Sequence, residues 1–135
     1  MSTTVYIPRD SAALAVGSER VARRLAEEAA ARGLDIRVVR NGSRGLFWLE
    51  PMLEVATPQG RIAYGPVAPA DMAGLLDAGM LEGATHALCH GPTEQIPYLA
   101  KQERLTFARM GVTDPLSLAD YQAHEGFAGS GRPWR

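Results

Sequence analysis

The sequence predicts an α/β domain: one sheet with a helix packed on each side, followed by a helical C-terminal extension. Three observations predict it. An amphipathic run over residues 18–32 lies between two β-type runs, a hairpin signature surrounds residue 58, and an apolar helical pattern follows Pro69. Strand, helix, strand, hairpin and helix in that order form layers, with a right-handed first crossover.

Thr4 to Ile7 is β-type and stops at Pro8. Gly17–Ser18 opens the long helix, with Ser18 read as its N-cap and Glu19 in the positive first turn. Val21, Leu25 and Ala29 form the apolar stripe, and Glu19–Arg23 and Glu28–Arg32 are spaced as outer-face ion pairs. Gly33 closes the helix. Leu34 to Arg40 alternates as a strand, and Asn41 to Gly45 is turn-forming. Met52–Ala56 and Arg61–Tyr64 flank Thr57-Pro58-Gln59-Gly60 as a hairpin. Pro69 starts a second helix whose apolar positions are Met72, Leu75, Leu76 and Leu81. After Gly83 the period is lost. No strand is expected there, Tyr98–Met110 and Asp114–Tyr121 read as short helices, and 129–135 reads as a disordered tail.

The bulk properties exclude several classes. A chain of 135 residues with 46% hydrophobic content suits one globular domain with an extension. Fourteen Lys and Arg against 15 Asp and Glu leave a net charge of -1, so no nucleic-acid partner is expected. No apolar run approaches the roughly 18 residues that span a bilayer, so no membrane partner is expected either. The opening residues lack a cleavable-signal pattern, and a cytoplasmic location is the expectation.

The single cysteine, Cys89, excludes an intramolecular disulfide and an all-cysteine metal site. His86, Cys89 and His90 offer at most three ligands with His124 remote, and no metal site is expected. Cys89 as a nucleophile would need a base and an orienting group, and Arg9-Asp10-Ser11 has no histidine partner at a suggestive spacing. Gly42-Ser43-Arg44-Gly45 reads as a turn, with an anion-binding nest as the alternative. Leu46, Phe47 and Trp48 have two readings: aromatic filling of local space, or an apolar interface for a partner subunit.

Several strings together carry a resemblance. They are Val5 to Gly17, Gly42 to Pro51, Tyr64-Gly65-Pro66-Val67-Ala68-Pro69-Ala70-Asp71, and Lys101 to Tyr121. They resemble the N-terminal part of the NADH-binding flavoprotein subunits related to respiratory complex I. In those subunits a thioredoxin-like ferredoxin domain holds a [2Fe–2S] cluster on four cysteines. The wording YIPRD, NGSRGLFWLEP, RIAYGPVAP and LSLADYQAH is most similar to the β subunit of soluble NAD-dependent formate dehydrogenases.

The resemblance implies a thioredoxin-like domain over 1–83, and a linker with the start of a flavoprotein domain over 84–128. It puts the four cluster-ligand positions at Pro8, Ala13, Ser43 and Phe47, where no thiolate stands. It therefore implies a cluster-free docking domain in a formate dehydrogenase-type oxidoreductase, with the other subunits as partners. FMN, NAD and iron–sulfur clusters are expected only in those subunits and in a flavoprotein region that this chain lacks, so it reads as a shortened form. No catalytic residue of the family carries over. Two other readings stand beside this one: a Cys89-centred redox or metal-dependent enzyme, and a stand-alone thioredoxin-like binding module.

Overall fold

The computed structural model describes residues 2–130. Five strands make one sheet in the order β2-β1-β3-β4-β5. β1 (Thr3–Tyr6) runs parallel to β2 (Ile36–Val39), with Val5 opposite Val38. β3 (Leu53–Thr57) is antiparallel to β1 and forms the expected hairpin with β4 (Gly60–Tyr64), pairing Val55 with Ile62.

Between β1 and β2 lie a short α1 (Ser11–Ala15) and the long α2 (Ser18–Arg32). Val21 and Leu25 of α2 are fully buried, as the apolar stripe predicts. Two details differ. The N-cap is Gly17, and Ser18 is the first helical residue, its buried hydroxyl without a partner. Glu19 pairs with Arg40 rather than Arg23, because Arg40, just past the end of β2, lies over the end of β1, where it also donates to the Ile7 and Pro8 carbonyls. Glu28–Arg32 forms as expected.

Strand alternation sorts side chains to two faces. Val5, Leu53, Val55, Ile62 and Tyr64 join Val21, Leu25, Met72 and Leu75 in the main core. Both long-range helices therefore pack on one face, not one on each, and Arg32 of α2 pairs with Asp77 of α3. The second expected helix is broken: α3 is Met72–Asp77, flanked by 3-10 turns at Pro69–Asp71 and Met80–Glu82. Gly79 sits at φ 86 between them, a left-handed conformation that α-helical backbone cannot continue through.

The expectation of no strand after Gly83 is overturned. β5 (Cys89–Pro92) extends the sheet antiparallel to β4, with an irregular register at Ala63/Tyr64. Pro92 lacks an N–H and can stand here because this is an edge strand. The expected helix over Tyr98–Met110 is only α4 (Pro97–Ala100), followed by turns. Among the described residues the last helix is α5 (Leu118–Ala123), capped by Ser117 accepting from the Asp120 N–H. Of the tail expected to be disordered, residues 131–135 lie outside the described residues, and Gly129 and Ser130 form a turn. Among the described residues no helix is long and apolar enough to cross a membrane.

Candidate functional site

The second face of the sheet places the site. Leu46, Leu49, Met52, Ala63, Ile96 and Leu99 form a smaller apolar cluster there. Next to it lies a charged layer that alternation projects from the strands: Tyr6 from β1, Glu54 from β3 and Arg61 from β4. Glu54 is 1% exposed. Arg44 meets it at two points, Nη2 to Oε1 at 2.9 Å and Nε to Oε2 at 3.2 Å, and also donates to Glu94. Burial works against the Arg44 charge. The hydrogen bonds and charges of Glu54 and, less, of Glu94 together more than offset it, holding the guanidinium above its ordinary value. Arg61 lies 3.4 Å over the Tyr6 ring.

This layer pins the C-terminal segment to the sheet. Asn41 Nδ2 and Arg61 Nη1 both donate to the Gly111 carbonyl, at 2.8 and 2.9 Å, and Arg61 Nη2 donates to Val112 O. Arg104 donates to the Arg44 carbonyl at the other end. Residues 104–112 thus form a strap across the loop that follows β2.

Strap and loop enclose a cleft of about 740 Å³. Asp10, Ser43 and Phe47 line it from one side, and Leu105, Phe107 and Met110 from the other. Ser43 is buried, accepts from the Gly45 N–H and donates to Glu50 Oε1 at 2.7 Å. Burial pushes the Glu50 carboxyl up from its ordinary value, against the pull of the Met52 N–H and Ser43.

Of the four positions equated with cluster ligands, Ser43 and Phe47 face this cleft, and Pro8 and Ala13 are buried outside its lining. The donor set is one hydroxyl already bonded on both sides, with no thiolate, and it does not fit an iron–sulfur cluster. The apolar triplet divides. Phe47 and Trp48 are 62% and 59% exposed on a 3-10 turn, and Leu46, grouped with them in sequence, points inward and is fully buried. Trp48 meets the exposed Tyr98 edge-on at 5.2 Å.

Cys89 lies on edge strand β5, separated from β1 by two strands. Its sulfur accepts from the Gly91 N–H. It also sits beside the Tyr64 phenol, which burial and this neighbour push up. The histidines do not converge on it: His86 accepts from the Leu88 N–H, His90 contacts Gly65 O, and His124 contacts Asp120 O. Among the described residues no group of three His, Cys, Asp or Glu is placed to hold a metal. Sequence reasoning missed the strap wall and the Arg44–Glu54 pair. The one available signal was a carboxylate, Glu54, in the middle of an apolar strand.

No family model and no curated protein sequence matches the chain. Solved structures do match. The wild-type thioredoxin-like [2Fe-2S] ferredoxin from Aquifex aeolicus is 18% identical, with a TM-score of 0.55 over 66% of this chain and 96% of that one. A cysteine-to-serine variant of the same ferredoxin gives 19% identity and a TM-score of 0.56, over 66% and 98%. The fold is therefore that of thioredoxin-like [2Fe–2S] ferredoxins, as the resemblance implies.

Proposed function

We propose that this chain is a cluster-free thioredoxin-like docking domain of a formate dehydrogenase β-type flavoprotein subunit. In this reading it holds the other subunits in place and carries no electrons itself. The observation that carries the reading is the state of the former ligand positions: the ferredoxin fold is kept while Pro8, Ala13, Ser43 and Phe47 offer no thiolate. A fold kept without its redox group keeps shape and surface as its remaining assets. The surface beside those positions is apolar: Phe47, Trp48 and Tyr98 stand exposed together. Aromatic side chains of this kind are enriched at interface centres.

The test is co-purification of the tagged chain with the other subunits of the dehydrogenase. Capture that is lost in a Phe47→Ser, Trp48→Ser double variant is the expected result. Failure of the wild-type chain to capture any subunit, or equal capture by the variant, would sink the docking role.

A further inference from the structure

The strap stands between two clefts. The cleft of about 740 Å³ lies toward the loop after β2, and a second of about 580 Å³ lies toward Tyr98 of α4. Leu105, Phe107 and Met110 line both clefts and are 85%, 62% and 46% exposed, so they form an apolar ridge with a hollow on either side. Phe47 walls the first hollow and Tyr98 the second, and Trp48 joins Tyr98 through their ring contact. Taking about 200 Å² for a large side chain, these six expose roughly 700 Å². That exceeds the largest apolar patch of a typical monomer, about 300–600 Å², and approaches the roughly 800 Å² that each side of a stable complex buries.

The two flanks of the ridge carry opposite charge. Arg109 lines the first cleft and Glu103 the second; both are exposed, and neither makes an ion pair among the described residues. The other charges there are engaged or turned away. Arg44 is held by Glu54 and Glu94, and Arg104 by Gln102 and the Arg44 carbonyl. Asp10 has its Oδ1 closed off from solvent and shares a further cleft with Arg9 and Arg40. A two-fold axis through the ridge would lay the first cleft of one copy over the second cleft of another. Each ridge then enters the hollow of the other copy, and each Arg109 faces a Glu103. The net charge of -1 puts little repulsion between copies.

We infer that two copies of this chain associate through the strap, as a symmetric dimer whose Leu105, Phe107 and Met110 ridges interlock and whose Arg109 and Glu103 pair across both rims. The apolar ridge supplies the buried area, and the two flanking charges set the register. A second copy covers the ridge and matches both flanks at once. The inference stands apart from the docking reading. The two share Phe47, Trp48 and Tyr98, so subunit capture and self-association compete for that surface.

Sedimentation equilibrium of the folded chain over a wide range of concentration is the test. A monomer–dimer equilibrium is expected, its Kd raised about tenfold by Arg109→Glu or by Glu103→Arg. Phe107→Ser should raise it at least about a hundredfold, because the ring is lost from both sides. Mixed in equal amounts, the two charge variants should associate as tightly as wild type, since each restores the pairs the other lacks. A wild-type chain that stays monomeric overturns the inference. So does a dimer that Phe107→Ser and both charge variants leave unchanged, which would place self-association elsewhere. Charge variants that weaken the dimer but do not recover on mixing overturn the two-fold pairing. A monomeric chain whose subunit capture is lost in Phe107→Ser gives the ridge to the docking role instead.

Discussion

Arg44 and Glu54 form a two-point ion pair under the C-terminal strap, with side chains 5% and 1% exposed. One comes from the loop after β2 and the other from the middle of β3, so the pair fixes that loop on the sheet. Gly111 closes over the Arg44 side chain, and the same carboxylate accepts from Asn41. Loop, sheet and strap therefore meet at one charged point.

Removing one partner strands the other. Glu54→Ala leaves the buried Arg44 with only the exposed Glu94 as a charge partner, and a loss of about 3 kcal/mol in unfolding free energy is expected from urea denaturation. A loss below about 1 kcal/mol would show that the pair is not buried as described.

The strap has its own hinge point. Gly111 has φ 78, and a Cβ there would run into the aliphatic part of Arg44. Gly111→Ala should undock residues 104–112 while the sheet stays folded. Hydrogen exchange and limited proteolysis read this as faster exchange and cleavage in the strap alone. Uniform protection in the variant would contradict the close packing of Gly111.

Glu50 predicts a pH dependence. Its carboxyl is pushed up by burial, so the folded state binds more protons than the unfolded state just above the ordinary carboxylate range. Stability from this group is present below the ordinary value and is lost as pH rises through the raised one. Thermal unfolding of Glu50→Gln should lack that component and fall less than wild type over the same pH range. An identical pH profile in both proteins would contradict the burial of Glu50.

Adjacent residues should respond oppositely. Leu46→Ala opens a cavity in the smaller apolar cluster and should cost about 2–5 kcal/mol. Phe47→Ser removes an exposed ring and should change stability by no more than about 0.5 kcal/mol. Comparable losses would mean that Phe47 is core rather than surface.

The parts of the fold that follow from periodicity are legible in the sequence. Val21 and Leu25 repeat at helical spacing over a long run, and the hairpin carries its own turn residues. The parts that tertiary contacts impose are not. Cys89 to Pro92 has no alternating pattern, and its strand state comes from pairing with β4 at the sheet edge. Lys101-Gln102-Glu103-Arg104 are good helix formers, yet Arg104 is tied to the loop after β2 and Gly111 to that loop and β4, which holds the strap off a helical path. Leu46, Phe47 and Trp48 look alike in sequence, and only the 3-10 turn decides which points inward. Glu54 announces itself as a charge in an apolar strand, but sequence cannot say that Arg44 will cover it.

The most direct test of the cluster-free reading is the visible absorption and iron content of protein purified without oxygen. No [2Fe–2S] band and no stoichiometric iron are expected, because Pro8, Ala13 and Phe47 have no ligating group and Ser43 is already bonded. A [2Fe–2S] band with bound iron in stoichiometric amount would contradict it.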